Sequence, residues 1–240
     1  MLNPETADIE TSSDNYASRF AGEIGAWLLQ VQEAATLQML APYPNAKILD
    51  VGGGHGQITN ALVENGYQVT VLGSADICKT RIQNLLDRDL CSFQVGNILD
   101  LPYLDRTFDI VISYRLLPHV TQWQQFLSQL ARVARQAVII DYPAVQSVNF
   151  IAPYLFQLKK NVEGNTRPFT CFKESQLLEV FQTLRFKCSD RYPQFFLPIV
   201  LHRMMKSPTL SSILEGVWRR SGMTSLFGSP VILKVVRDPN

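Results

Sequence analysis

Four glycines within five residues follow a short apolar segment, and no other feature of the chain constrains its fold as strongly. The segment reads Ile48-Leu49-Asp50-Val51-Gly52-Gly53-Gly54-His55-Gly56-Gln57. Glycine adopts positive φ angles at little steric cost and lets a ligand approach the backbone, while free amides at the start of a helix favour an anionic group. The segment therefore predicts a buried strand, a tight turn and a helix, with a nucleotide-like ligand at the turn.

Short β-rich apolar segments alternate with amphipathic helical segments along the middle of the chain. The predicted strands are 47–51, 68–72, 92–95, 109–113 and 137–141, with 186–192 and 231–236 as a closing pair. The predicted helices between them are 57–64, 77–87 and 122–134. This alternation is typical of a parallel sheet covered by helices. We therefore predict an α/β fold with a doubly wound, mostly parallel sheet of seven strands.

Three segments do not belong to that alternation. They are a helical lead at 16–40, an aromatic-rich segment at 145–161 and a helical insertion at 195–228, before the last strand. Connections much longer than a hairpin are usually lids or binding loops, so these segments could wall one pocket. We expect a single domain over 1–240, made of an N-terminal helical lid (14–44), a ligand-binding core (45–142) and a substrate-side region (143–240).

The composition limits the class of protein. A chain of 240 residues with 46% hydrophobic and 18% charged residues is typical of one globular domain. The longest apolar run, 195–201, is far shorter than the roughly 18 residues that a membrane-spanning helix needs. The acidic N-terminus lacks the features of a signal peptide, so we expect a cytoplasmic protein. Four scattered cysteines, with no histidine at ligand spacing, indicate reduced thiols and no metal site.

The charge is distributed unevenly although the net charge is only +1. Residues 185–240 carry nine Lys and Arg against three Asp and Glu, whereas residues 1–184 carry thirteen against eighteen. A basic C-terminal part predicts an anionic ligand or surface nearby, or else a solvated basic face. No nucleic-acid recognition motif accompanies it, so nucleic acid is not an expected partner. The sequence leaves the oligomeric state open.

The glycine spacing separates two classes of nucleotide-binding protein. A dinucleotide fingerprint that starts at Gly52 needs a small residue at position 57, where the chain has Gln57. The spacing present is Asp-x-Gly-x-Gly-x-Gly, from Asp50 to Gly56. It resembles the glycine loop of the class I S-adenosylmethionine-dependent methyltransferases.

Four further segments carry the same resemblance, which covers roughly residues 14–142 well and the rest loosely. The residues Tyr16, Arg19, Phe20 and Gly25 resemble the N-terminal helix that closes over the cofactor in many such enzymes. The segments 96–103, 105–113 and 116–120 resemble, in that order, the family sequences Gly-Asp-Ala-x-x-Leu-Pro-Phe, Asp-x-x-Phe-Asp-x-Val-x-Ser and Leu-His-His-Val. Several matches in one order are far more specific than one glycine loop.

The resemblance implies S-adenosylmethionine as the cofactor. The residues that it assigns to the cofactor are Asp50, Gly52, Gly53, Gly54, Gly56, Gly73, Ser74, Asn97, Ile98, Ser113 and Tyr16. Asp50 would help to fix the amino group, Asn97 would accept from the adenine amino group, and the Ile98 amide would face the adjacent ring nitrogen. The family commonly ends its second strand in an acidic residue that binds the ribose. This chain has Gly73-Ser74 there, so Ser74, or Asp76 reaching back, would supply that contact.

Methyl transfer needs few obligatory residues, because the enzyme mainly aligns donor and acceptor and excludes water. His119 follows the fourth strand and is the candidate general base, with capping of the next helix as the alternative. His55 is interpreted as a cofactor contact. The candidate acceptor-binding residues are Phe20, Tyr114, Phe196, His202 and Arg203.

The apolar segment 195–205 turns basic at its end. It suits the wall of an apolar pocket, a helix that lies on a membrane surface, or a helix that simply packs on the sheet. We therefore expect a methyltransferase that acts on a small, apolar or amphipathic molecule, with peripheral membrane contact as an open alternative for this segment. A non-catalytic cofactor-binding protein of the same fold is the second hypothesis, and a hydride-transferring dehydrogenase is the third.

Overall fold

The computed structural model describes residues 5–147 and 169–239. Most of the aromatic-rich segment predicted at 145–161 lies outside the described residues. Within the described ranges, no helix combines the length and the apolar composition that crossing a membrane requires.

Seven strands form one sheet in the order β3-β2-β1-β4-β5-β7-β6. Their bounds are β1 Lys47–Val51, β2 Gln68–Gly73, β3 Cys91–Val95, β4 Phe108–Ser113, β5 Ala134–Tyr142, β6 Phe186–Pro193 and β7 Val231–Arg237. The first five strands are parallel, and β7 runs antiparallel to both β5 and β6. This topology confirms the doubly wound, seven-stranded, mostly parallel sheet predicted from the sequence.

Helices cover both faces of the sheet. They are α1 Ala7–Thr11, α2 Asp14–Ser18, α3 Gly22–Leu40, α4 Thr59–Glu64, α5 Gln83–Leu86, α6 Trp123–Val133, α7 Glu174–Thr183, α8 Ile199–Met205, α9 Pro208–Arg220 and α10 Met223–Phe227. The α6 and α7 helices bury apolar residues on one face, and α3 and α4 on the other. Each central strand is therefore buried on both sides, as its continuous apolar sequence predicts.

Some helices differ from their predicted form. The helix predicted at 57–64 begins at Thr59, because Gly53–His55 form a separate 3₁₀ turn. Most of the helix predicted at 77–87 is a 3₁₀ segment, Asp76–Ile82, followed by the single turn of α5. The predicted lead at 16–40 is broken between α2 and α3, where the Phe20 ring turns inward against Arg115.

The carboxyl ends of β1, β2, β4 and β5 meet at one edge of the sheet, as parallel strands require. The glycine turn follows β1, and the short helices α1 and α2 contact this edge, as the hydrogen bonds of Asp8 with Ser74 show. The helices α8, α9 and α10 fill the long connection between β6 and β7, so the predicted helical insertion is confirmed. The fold thus places the N-terminal segment over the edge where open α/β sheets bind ligands.

Candidate functional site

Asp50 is a buried carboxylate near the carboxyl end of β1. Its Oδ2 accepts a long hydrogen bond of 3.3 Å from Thr59 Oγ1, and its Oδ1 has no hydrogen-bond partner among the described residues. Burial raises the pKa of Asp50 to about 7, which the Thr59 hydroxyl partly opposes. Burying a carboxylate with so few hydrogen-bond donors destabilises its ionised form. The site therefore favours a ligand that donates hydrogen bonds or carries positive charge.

The glycine turn lies directly against this carboxylate and against the N-terminal segment. A Cβ atom at Gly53 would overlap the Asp50 carboxylate, and one at Gly54 would overlap the Cys78 carbonyl group and approach Ser12 Oγ at 2.7 Å. Both glycines are therefore needed for close packing of the protein itself. A larger residue at Gly54 would disturb the fold before it tested ligand binding.

Arg115 is a cation at the same edge, two residues past the end of β4. Its amide donates to Asp141 Oδ1 over 2.6 Å, and its Nη2 donates to Gln32 Oε1 over 2.6 Å. The guanidinium lies 4.0 Å from the centre of the Phe20 ring, while the buried Nη1 has no hydrogen-bond partner among the described residues. Burial lowers the pKa of Arg115, so an anion that reached Nη1 would be stabilising.

Asp50 and Arg115 lie on neighbouring strands. Asp50 pairs with Ile112 in the register of β1 and β4, so Arg115 is only three residues beyond that pair. Arg115 has a φ of 61°, a strained conformation for a residue with a side chain, of the kind that concentrates at functional sites. Asp50 Oδ1 and Arg115 Nη1, neither of which has a partner among the described residues, thus lie on neighbouring strands at the same edge.

Asp141 supports this arrangement from the end of β5. It is buried, and burial raises its pKa to about 6, although the amide and the charge of Arg115 act in the opposite direction. Its short contact with the Arg115 amide fixes the unusual backbone at that residue. We interpret Asp141 as a positioning residue.

The α1 and α2 helices place aromatic and polar side chains over the site. The rings of Tyr16 and Phe20 lie 5.9 Å apart, and Arg19 lies 5.1 Å from the Tyr16 ring. Burial is the main cause of the raised pKa of Tyr16, and the charge of Arg115 opposes it. This placement agrees with the predicted lid, which stays a prediction because the lid function has not been tested.

Asp8 of α1 reaches the end of β2, where the sequence lacks an acidic residue. Its carboxylate is buried and accepts from the Ser74 amide and the Ser74 hydroxyl, each over 2.5 Å. The Cys78 thiol contacts the same carboxylate at 3.4 Å. Tertiary structure therefore brings a carboxylate to a position where the local sequence provides only Gly73-Ser74.

Asn97 and Ile98 follow β3, at the position predicted to contact adenine. Asn97 Oδ1 accepts from the Leu99 amide over 2.9 Å, which holds the local turn. The Ile98 side chain is fully buried in the core. A carbonyl oxygen has two lone pairs, so adenine binding by Asn97 stays a prediction, but removing this side chain would also disturb the turn.

Two histidines predicted near the site have different surroundings. His55 is buried, and its pKa is lowered to about 3, mainly by burial and further by the charge of Arg115. Its Nδ1 accepts from the Gln57 amide, so the neutral ring carries its proton on Nε2. His119 ends a 3₁₀ turn, with its ring edge-on to Phe169. The N-cap of α6 is Gln122, whose side chain makes no cap hydrogen bond.

Several predicted acceptor residues have other surroundings. Tyr114 is buried among the residues beneath α3, with its hydroxyl 2.7 Å from Thr36 Oγ1, because side chains alternate between the faces of a strand. Phe196 packs on Trp218 at 4.6 Å, and His202 is fully buried 3.0 Å from Glu215. In this structure these three side chains are packed inside the protein, and their role in acceptor binding stays a prediction.

Phe20 and Arg203 remain near accessible surface. An open groove of about 550 Å³ lies between the start of α3 and the end of α8. It is lined by Ser18, Arg19, Ala21, Gly22, Glu23, Ile24, Gly25, Arg203 and Lys206. Ser113 instead donates its hydroxyl proton to the Val51 carbonyl group and ties β4 to β1.

Sequence reasoning missed Asp8, Arg115, Asp141 and Gln32. Asp8 and Gln32 lie in helices far along the chain from the strands that they contact, and no local motif marks them. Arg115 carried a usable signal, since it is a single basic residue between apolar neighbours just after a buried strand. In residues 5–147 and 169–239 no group of three or more metal-ligating side chains is close enough to hold a metal ion.

Comparison with known families finds a match over the core. The profile of a family described as a methyltransferase domain matches residues 49–140. A methyltransferase of Schizosaccharomyces pombe, named as uncharacterized, is 30% identical over 133 residues, which are 50% of this chain and 47% of that protein. This chain therefore spans about half the length of that relative. Demethylmenaquinone methyltransferase of Tropheryma whipplei is 26% identical over 199 residues, covering 72% of this chain and 80% of the relative.

Solved structures share the fold at low sequence identity. Magnesium protoporphyrin IX methyltransferase from Synechocystis PCC 6803, crystallised with bound S-adenosylhomocysteine, superposes with a TM-score of 0.65 at 14% identity. That alignment covers 95% of this chain and 97% of the other. At this identity the likeness concerns the fold alone.

Proposed function

We propose that this chain, as a class I S-adenosylmethionine-dependent methyltransferase, transfers a methyl group to a small, apolar or amphipathic acceptor. Its cofactor is S-adenosylmethionine, in agreement with the family match over residues 49–140. The curated relatives, among them a demethylmenaquinone methyltransferase, support the same reaction class.

The observation that carries this proposal is the unpaired charge at the sheet edge. Asp50 Oδ1 and Arg115 Nη1 are both buried and lack partners among the described residues. The methionine part of the cofactor carries an ammonium group and a carboxylate group. Asp50 would hold the first group and Arg115 the second, so the residues present fit this cofactor.

When bound, the cofactor supplies a methyl group that its sulfonium already activates. The protein then has to align the acceptor and keep water away. Phe20 would exclude water, because its ring packs on the Arg115 guanidinium at the open edge, and the neighbouring Tyr16 ring would extend this cover. His55 would stay neutral, since its pKa is about 3.

We assign the ribose contact to Asp8. Its carboxylate lies at the end of β2 and uses two hydrogen bonds to fix Ser74. A carboxylate has about four acceptor positions, so it can accept from hydroxyl groups in addition to Ser74. Asp8 would thus replace the acidic residue that β2 lacks, and α1 would bind the cofactor as well as cover it.

The acceptor would approach from the side of α2, α3 and α8. The groove there is lined by basic side chains, among them Arg203 and Lys206, together with Glu23 and Ile24, and Phe20 directly precedes Ala21 of its lining. This composition suits an apolar molecule with a polar or anionic end. His119 stays the proposed general base for an oxygen acceptor.

Isothermal titration calorimetry with S-adenosylhomocysteine and with NAD tests the cofactor assignment. We expect binding of the first and no detectable binding of the second. Transfer of a labelled methyl group should then be measured for a panel of acceptors that runs from apolar quinols to hydrophilic amines. Binding without transfer to any acceptor would support a non-catalytic binding protein, and transfer only to hydrophilic amines would contradict the apolar acceptor.

A further inference from the structure

The α9 helix buries two polar residues and exposes three large apolar ones. Leu210, Ile213 and Val217 are exposed, Ile213 by 60% and Val217 by 54%. Ser211 and Glu215, one turn apart on the opposite side, are buried. A helix on a water-exposed surface normally has the reverse arrangement. The outer side of α9 therefore lacks the apolar contact that its composition favours.

The neighbouring helix α8 is oriented in the same way. Val200, Leu201 and Met204 are exposed, Met204 by 69%, whereas His202 between them is fully buried. We call the exposed apolar residues of the two helices the outer face; they are Val200, Leu201, Met204, Leu210, Ile213 and Val217. Exposed large apolar side chains grouped on two neighbouring helices are typical of a surface that binds a partner.

A buried polar network prevents the two helices from turning over. His202 Nε2 lies 3.0 Å from Glu215 Oε1, so this pair joins α8 to α9. The Glu215 carboxylate also accepts from the Phe196 and Leu197 amides, each over 2.9 Å. The His202 ring packs 5.1 Å from Trp27 of α3. These contacts are satisfied only with the outer face pointing away from the protein.

The exposed charges of residues 195–228 are all basic, and Glu23 of α3 is an acidic residue that lies with Arg203 and Lys206 in the neighbouring groove. Between residues 195 and 228 the only acidic residue is Glu215, which is buried and bound to His202. Arg203, Lys206 and Arg220 are all exposed. An apolar surface bordered by basic side chains complements a lipid surface with anionic headgroups. It would repel a strongly basic protein partner.

We propose that the outer face of α8 and α9 docks this protein onto an anionic lipid surface. The apolar side chains would enter the boundary between headgroups and acyl chains, and the basic side chains would lie among the headgroups. The groove beside Arg203 and Lys206 borders this face, so an amphipathic molecule could pass from the lipid towards the site. Docking itself does not depend on methyl transfer.

Vesicle flotation of the full chain tests this proposal. We expect the protein to float with phosphatidylcholine vesicles that contain phosphatidylglycerol, and much less with phosphatidylcholine alone. The triple variant Leu210→Ser, Ile213→Ser, Val217→Ser should bind anionic vesicles about tenfold less or weaker still. Leu104→Ser is the matched control, because Leu104 is 83% exposed elsewhere on the protein, and it should bind like the wild type.

The double variant Lys206→Gln, Arg220→Gln separates charge from apolar contact. It should lower binding to anionic vesicles and reduce the effect of added salt. The proposal is overturned if the wild type does not float with anionic vesicles, or if the triple variant binds as well as the wild type. It is also overturned if light scattering shows that the wild type is a dimer and that the only effect of the triple serine variant is to make it a monomer. The outer face would then join two copies of the chain.

Discussion

The edge of the sheet and the insertion α8–α10 both bury charged side chains, but they satisfy them differently. At the edge, Asp50 and Arg115 each leave a buried polar atom without a partner among the described residues. In the insertion, the Glu215 carboxylate receives three hydrogen-bond contacts from His202 and two amides. The insertion leaves neutral polar atoms, His202 Nδ1, Ser211 Oγ and Thr224 Oγ1, buried without partners among the described residues, but its buried charge is paired and its outer surface is apolar.

The difference indicates what each region binds. A buried polar atom without a partner raises the free energy of the ligand-free protein, so a polar, charged ligand would stabilise the edge. An apolar side chain exposed to water also raises the free energy, so an apolar partner would stabilise the insertion. Five predictions test this contrast between an edge with unpaired buried charge and an insertion whose buried charge is paired.

The largest effect should come from Glu215→Ala in the insertion. The change leaves His202 and two amides buried without their acceptor, so the free energy of unfolding should fall by about 3–5 kcal/mol. Urea unfolding monitored by tryptophan fluorescence measures it. The affinity of the folded fraction for S-adenosylhomocysteine should not change. A loss of stability below about 1 kcal/mol would mean that the network does not hold the insertion.

Arg115→Gln should weaken cofactor binding at the edge. A charged hydrogen bond to a carboxylate contributes about 1.5–3 kcal/mol, so affinity for S-adenosylhomocysteine should fall by about tenfold or more. Binding of 5′-methylthioadenosine, which lacks the amino acid part, should be unaffected. Calorimetry with both ligands separates the two. An equal loss for both would show that Arg115 only shapes the site.

Asp8→Ala should lower the affinity for both of these ligands, because both contain the ribose. We expect the affinity to fall by about fivefold to tenfold, which corresponds to the loss of one or two buried hydrogen bonds. Asp14→Ala is the matched control: Asp14 lies in the same N-terminal segment, and its exposed carboxylate binds Arg81. An affinity that rises in Asp8→Ala would show that Asp8 closes the cleft against the cofactor.

The smallest effect should be a dependence on pH. Since the pKa of Asp50 is about 7, its carboxyl group ionises between about pH 6 and about pH 8, and the ionised form attracts the cofactor ammonium. Affinity for S-adenosylhomocysteine should therefore rise about fivefold over that range. Asp50→Asn should remove this rise. An affinity that stays constant or falls with pH in the wild type would contradict the role of Asp50.

The ligand-free protein should respond to pH in the opposite direction. The pKa values of Asp50 and Asp141 are about 7 and about 6 in the folded state. Aspartates of an unfolded chain titrate near about 4, so the folded state keeps protons that the unfolded state has lost. Stability should therefore fall as pH rises from about 4 to about 7.

Much of the fold was predictable because its signals are local. The buried strands of the core and the glycine turn have short, continuous patterns, and all seven strands form near their predicted bounds. The acceptor side was less predictable. A pattern of apolar residues cannot distinguish a pocket wall from packed segments, and Phe196, which precedes α8, and His202 of α8 are both packed against α9.

The residue after β4 illustrates the limit at the site. Tyr114 and Arg115 are adjacent, and their order along the strand does not show which one reaches the ligand edge. The structure turns Tyr114 under α3, while the positive φ of Arg115 and its bond to Asp141 hold its guanidinium over the edge. These contacts join β4, β5 and α3, so no window of local sequence contains them.

The sheet, its glycine turn and the resemblance to a methyltransferase family were evident from the sequence, because strand periodicity and glycine spacing depend on neighbouring residues. Which charged side chains come into contact depends on the tertiary structure. Asp8 reaches Ser74 across 66 residues, and Arg115 reaches Gln32 across 83. The outward orientation of the apolar residues of α8 and α9 also depends on the tertiary structure, because His202 pairs with Glu215 only when both helices are packed.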